Sequence, residues 1–265
     1  MIGAGDLARA HVAAFRAAGC SSVALGGEEL LGSVDAVVVA SKPGLRFHHT
    51  ALALENGLDV LVEQPVAPTV ENARMLERIA SLRPARPVVQ VSQPDHFNPA
   101  LQRLSGEAAV AIDFRRRGSS LDGMLHDVHT LVGIARSPLI RVQASGDARY
   151  AVATLVFESG LIGTLATGEA GPAPAHEVVA TTASSVIAVD ALSGAVEITR
   201  ADVRESTHVE LGDPLAAQAG SFLQAVRERG RPAVSLRTAI ACQEVAAKLR
   251  ECIAVQAAAT GVPAG

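Results

Sequence analysis

The sequence predicts an α/β protein. An N-terminal, shortened Rossmann-like parallel sheet is followed by a C-terminal α+β domain whose sheet is mostly antiparallel. Three observations carry this. Apolar residues make up 49% of the 265-residue chain but aromatics only 3%, so the core must come from Ala, Val, Leu and Ile, as in Val-rich strands covered by Ala- and Leu-rich helices. In the first 95 residues, segments of helical period alternate with short apolar runs. After Pro99 the texture changes, and strand-like runs follow one another with few helices between them.

The elements follow in order. Residues 6–18 have helical spacing and Gly19 stops them. VDAVVVA at 34–40 is a continuous apolar run, as in a parallel strand buried on both faces. Residues 49–56 read as a helix capped by Gly57, and 60–62 as the next strand. Thr69 is a good N-cap for a helix to about Leu82, with Glu71 and Asn72 well placed in its first turn, and 88–92 reads as another strand. Such alternation predicts right-handed βαβ units. Beyond Pro99 the expected strands are 108–115, 139–145, 150–158, 161–167, 177–182, 185–190 and 195–199, with helices at 122–135, 214–229 and 235–259. Residues 157–161 (FESGL) form a hairpin turn, and the end from about Thr260 is expected to fray. The domains are read as 1–95, dinucleotide-binding, and 96–265, for substrate binding and oligomerisation.

The bulk properties narrow the function. The formal net charge is −4, and Arg115-Arg116-Arg117 is the sole basic run, expected to end a strand facing solvent, so no nucleic-acid footprint is present. No apolar run is long enough to span a bilayer, and a glycine turn stands where a signal peptide would. Cys20, Cys242 and Cys252 are scattered, which excludes a disulfide framework or zinc ribbon and suggests a reducing cytoplasm.

The chain opens MIGAGDLA, a G-x-G-x-x-A array of Gly3, Gly5 and Ala8. In such an array Gly3 makes the tight bend and Gly5 admits a pyrophosphate. The N–H groups at Asp6 and Leu7 open the helix that steadies the phosphate charge. Only Met1 and Ile2 precede it, and the gap between Gly19 and Asp35 leaves room for one short strand and one short helix. No ribose carboxylate stands out, and Glu28 and Glu29 are expected to face water.

A second pattern lies in LDGMLHDVHTLV. Asp122, His126 and His129 recur at i, i+4 and i+7 and so share one helical face. A histidine suits removal of a hydroxyl proton as hydride leaves carbon, and a carboxylate one turn away can orient the ring or grip a substrate hydroxyl. The same residues are open to blander readings: Asp122 as an N-cap, the histidines as polar-face residues, or all three as zinc ligands.

These segments resemble, in order, the Gfo/Idh/MocA family of glucose–fructose oxidoreductase and inositol dehydrogenase. MIGAGDLARAH is similar to its nucleotide turn, and VDAVVVASKP to the strand whose end (Ser41, Pro43) lies under the nicotinamide. ALENGLDVLVEQP resembles the unit ending in Glu-Lys-Pro, here Glu63-Gln64-Pro65. HFNPAL, with Asn98, is similar to the start of the second domain, LDGMLHDVHTLVGIARSP to the catalytic helix, and 214–252 to the C-terminal helix pair. His48-His49 falls where the family has a histidine near the cofactor.

The resemblance implies a cofactor, NAD or NADP, held by Gly3, Gly5, Asp6, Leu7, Ser41, Pro43, Glu63 and Pro65. It implies His126 as catalytic base with Asp122 and Gln64 beside it, His129 and Asn98 on the substrate, and no metal. The substrate would be a sugar, nucleotide-sugar, cyclitol or related polyol, with no nucleic-acid or membrane partner. The protein would be a homo-oligomer, dimer or tetramer, pairing through the open sheet face of the second domain. Gln64 departs from the family lysine: an amide donates a hydrogen bond without charge. Two functions therefore remain: an NAD(P)-dependent oxidoreductase, or a non-catalytic relative that binds a ligand or regulates.

Overall fold

The computed structural model describes residues 1–105, 108–121, 123–147, 149–171 and 173–260, with side chains described to residue 254 in the last stretch. The chain divides into two compact units, Met1–Phe97 with Asp213–Ala241, and Asn98–Gly212 with the chain from Cys242.

The first unit opens β1 (Ile2–Gly3), α1 (Asp6–Ala17), a 3-10 helix (Glu28–Ser33), β2 (Ala36–Ala40), α2 (Pro43–Glu55), β3 (Asp59–Val62), α3 (Val70–Ser81) and β4 (Val89–Val91). The strands form a parallel sheet in the order β1-β2-β3-β4. Val60, Leu61 and Val62 are fully buried, as a strand covered on both faces requires. Thr69 caps α3 as expected, its Oγ1 accepting from the Asn72 N–H. Two expectations are corrected. The helix read at 49–56 begins at Pro43, because proline is favoured in a first turn. The short strand allowed for between Gly19 and Asp35 is a single parallel bridge of Gly26 to Ile2, since the loop is too short for more.

The second unit comprises β5 (Ala109–Arg117), α4 (Gly123–Ala135), β6 (Leu139–Gly146), β7 (Tyr150–Phe157), β8 (Ile162–Gly168), β9 (Ala175–Thr182), β10 (Val186–Asp190), β11 (Ala195–Arg200) and β12 (Val203–His208). Its sheet runs β12-β11-β10-β9-β5-β8-β7-β6 and is antiparallel except for β5–β8. β12 is absent from the sequence reading because all six of its residues are exposed and carry no buried alternation. Helix α4 lies on the sheet over Gly163, where an added Cβ would stand 2.2 Å from Leu131 Cδ2.

Two helices close the chain, α5 (Pro214–Glu228) and α6 (Leu236–Thr260). The division at 95/96 needs correction here. The chain crosses at 97/98, and α5 with the start of α6 belongs to the first unit. Phe222 packs edge-on against Phe15 of α1 with ring centroids 6.0 Å apart, in a cluster with Leu61 and Val88. The buried face of α1 needed a cover, and α5 supplies it from far along the chain.

Candidate nucleotide site and catalytic helix

The β1–α1 turn leaves backbone and a helix N-terminus open. A Cβ on Gly3 would lie 2.6 Å from the Ala40 carbonyl oxygen, so this backbone passes closer to β2 than a side chain allows. Gly5 has φ 88° with open space where its Cβ would point, and α1 begins there with no side-chain cap. Its first N–H groups are therefore presented to a ligand rather than to the protein. Asp6 turns outward to pair with Arg9, and Leu7 is exposed. At the end of β2 the Ser41 hydroxyl is buried without a partner among the described residues, and Pro43 opens α2. These residues fit a dinucleotide.

Glu63, Gln64 and Pro65 leave β3 beside them, the Gln64–Pro65 peptide being cis. Glu63 is buried and meets His11 of α1, Oε1 to Nε2 at 2.6 Å. Burial by itself would raise the Glu63 pKa. The His11 contact, a hydrogen bond from Ser92 and the charge of Arg46 together hold it below the usual carboxylate value. Arg46, itself buried, donates from Nε to the Ser41 carbonyl at 2.8 Å and from Nη1 to the carbonyls of Gln64 and Pro65. One guanidinium thus fixes the loops after β2 and β3 side by side. Gln64 has no amide hydrogen to spare, since its Nε2 donates to the Ser92 carbonyl at 2.8 Å and to Gln93 Oε1 at 2.9 Å. Gln218 of α5 secures the far side, donating from Nε2 to Ser92 Oγ at 3.0 Å and accepting at Oε1 from the Gln93 N–H at 2.6 Å. Glu28 and Glu29 are exposed, as expected, with Glu28 2.9 Å from His48 Nε2 and 3.4 Å from His49 Nε2.

In the second unit α4 carries His126, half-buried, and His129, 5% exposed. Asp122 lies outside the described residues. Between the histidines, fully buried Asp127 accepts from Arg116 Nη2 at 2.7 Å and from its Nε at 3.2 and 3.1 Å. His176 Nε2 stands 3.0 Å from both Asp127 Oδ1 and Arg116 Nη2. Arginine only donates, so an unprotonated Nε2 accepts from Arg116 and a protonated one donates to Asp127. Burial would raise the Asp127 pKa, but His176 and Arg116 outweigh it and hold it low. Arg116 faces His176 across the β5–β9 ladder, and its side chain is only 17% exposed. The basic run does end a strand, but Arg116 turns inward, because a buried carboxylate demands it. Asn98 is engaged by its own unit, accepting from the Ala100 and Leu101 N–H groups and donating to the Ala191 carbonyl.

The sequence reading thus brings together Gly3, Gly5, Ser41, Glu63, Gln64 and Pro65, and misses His11, Arg46, Ser92, Gln218, Asp127, Arg116 and His176. A signal existed for two of them. His11 interrupts the Ala8–Ala14–Phe15 face of its helix, and Asp127 interrupts the apolar run of α4.

A parallel sheet with a glycine-cradled helix N-terminus at its carboxyl edge is the arrangement of a dinucleotide-binding domain. Residues 7–91 match the family described as "Oxidoreductase family, NAD-binding Rossmann fold", the Gfo/Idh/MocA family. No curated protein matches the sequence. The whole fold is shared with solved structures. UDP-N-acetylglucosamine 3-dehydrogenase GnnA from Acidithiobacillus ferrooxidans aligns over 96% of both chains at 21% identity, with a TM-score of 0.89. KijD10, a 3-ketoreductase from Actinomadura kijaniata solved with NADP, aligns over 95% of this chain and 96% of its own at 17% identity and 0.80. An oxidoreductase from Agrobacterium radiobacter solved with NAD+, L-tartaric acid and magnesium aligns over 96% and 95% at 12% and 0.82. Among the described residues, no helix is long and apolar enough to cross a membrane.

Proposed function

We propose that this protein is an NAD(P)-dependent dehydrogenase acting on a CH–OH group of a sugar, nucleotide-sugar, cyclitol or related polyol. The observation that carries the reading is the cradle of Gly3, Gly5 and the uncapped N-terminus of α1, in a segment that matches an NAD-binding family. The nucleotide-sugar and 3-keto chemistry named for GnnA and KijD10 supports the sugar class. A bound nicotinamide would supply the acceptor for the carbon-bound hydrogen and its electron pair. His126 takes the hydroxyl proton, assisted by Asp122 and His129. Backbone N–H groups at Asp6 and Leu7 hold the pyrophosphate, while Ser41, Pro43, Glu63 and Pro65 shape the nicotinamide end. Calorimetric titration with NAD(H) and NADP(H) should show binding of at least one. Absorbance of reduced nicotinamide should then rise with UDP-N-acetylglucosamine or a polyol panel and be abolished in His126→Ala. Absence of nucleotide binding would sink the reading.

The commitment of both Gln64 amide hydrogens favours a second reading, a ligand-binding or regulatory relative without turnover. It predicts that Gln64→Lys gains no activity. We further propose a cytoplasmic homo-oligomer, dimer or tetramer, pairing through the second unit's sheet, whose outward face exposes Val152, Ile162 and Val186. A monomer by light scattering at micromolar concentration would refute the pairing.

A further inference from the structure

Parallel sheets of this kind take their ligands outside the carboxyl ends of the strands. In the first unit those ends are the loops that follow β1 to β4. Oxidising a carbinol draws negative charge onto its oxygen, and a preorganised cation there is worth roughly 10²–10³ in kcat. Position 64 cannot supply it, because Gln64 is neutral and gives both amide hydrogens to Ser92 and Gln93. Arg9 is paired with Asp6. Arg46 is buried and spent on the carbonyls of Ser41, Gln64 and Pro65. Burial pushes His96 toward its neutral form.

Lys42 remains. It directly follows Ser41 at the end of β2, is exposed, and makes no capping bond to α2. Among the described residues no hydrogen bond or ion pair holds its ammonium. Its place relative to position 64 is fixed by backbone. Val39 pairs with Val62, and the Glu63 N–H donates to the Val39 carbonyl at 3.0 Å, so Lys42 and Gln64 leave adjacent strands at the same edge. Adjacent strands lie about 4.8 Å apart, and Arg46 clamps the two loops together. A flexible four-carbon stem from position 42 therefore covers the space beside position 64.

We propose that Lys42 is the cation that steadies the reacting oxygen, its ammonium carried on the loop after β2 instead of the loop after β3. This rests on the dehydrogenase reading. In the reaction the C–H bond breaks and its electron pair leaves with hydrogen for the nicotinamide. The hydroxyl proton goes to His126 and the C–O bond becomes a carbonyl. Lys42 forms no bond and exchanges no electron; it holds positive charge at the oxygen.

The chain has two lysines, Lys42 and Lys248, both exposed and on different units, which makes a direct test available. The purified protein is treated with trinitrobenzenesulfonate alone, with NAD+, and with NAD+ plus UDP-N-acetylglucosamine, and each labelled peptide is counted by mass. The ternary mixture should slow labelling of Lys42 at least tenfold and leave Lys248 unchanged. Lys42→Met should lower kcat about 100-fold while NAD+ affinity by calorimetry stays within about threefold. The double variant Lys42→Met/Gln64→Lys should recover at least tenfold over Lys42→Met. If NAD+ binds but Lys42 labels as fast as before, or Lys42→Met keeps its kcat, the inference falls and the dehydrogenase reading stands. Loss of NAD+ affinity at unchanged kcat would make Lys42 a phosphate contact and overturn it as well. If neither NAD+ nor NADP+ binds, both readings fall together.

Discussion

Each unit buries a carboxylate against a histidine and an arginine, and the two arrangements do different work. In the second unit Arg116 turns its guanidinium onto Asp127 itself, through three contacts of 2.7–3.2 Å, and His176 closes the other side. In the first unit Glu63 meets His11 at 2.6 Å, while Arg46 donates to backbone carbonyls and its charge helps hold the Glu63 carboxylate low. The second cluster neutralises a charge and ties α4, with His126, to the sheet. The first braces the loops after β2 and β3. The same three residue types make a structural anchor or a site frame according to where the arginine's donors go.

The comparison breaks most sharply at Arg116. Arg116→Met strands a fully buried carboxylate and should cost about 3–5 kcal/mol in urea unfolding. A loss below about 1 kcal/mol would show that Asp127 needs no arginine. His11→Ala should cost less, about 1–3 kcal/mol, because Ser92 and Arg46 still attend Glu63. Equal losses at the two sites would erase the distinction. Acid tests both clusters at once. Both carboxylates are held below their ordinary values, so their stabilisation is complete above about pH 4 and is lost as pH falls through the depressed pKa values. Stability measured against pH should drop below about pH 4, and the drop should shrink in Asp127→Asn. Thr69→Ala, remote from both clusters, should cost about 1 kcal/mol through its lost cap and leave nucleotide affinity unchanged.

Much of this fold was legible because it rests on local rules. The run at 34–40, the Thr69 cap and the glycines after β1 each carry their signal within a few residues, and the structure puts β2, α3 and the tight β1–α1 turn there. β12 was not legible, because an exposed edge strand has no apolar period. The candidate site was half legible. Glycines and a Glu-Gln-Pro motif can be read in order, but the partners that set their chemistry come from distant positions: Glu63 meets His11, Gln64 meets Ser92, and Gln218 reaches Ser92 from α5.

By itself the sequence determined the α/β class, the succession of most elements and the glycine turn, since backbone freedom and hydrophobic period are properties of neighbouring residues. Tertiary structure alone decided that α5 returns to cover α1, that Arg116 turns inward to Asp127, and that Gln64's amide is already taken by Ser92 and Gln93. The physical reason is that burial and hydrogen-bond partnership are set by which chain segments meet, and a buried polar group takes its charge state and its task from whatever partner the fold brings within about 3 Å.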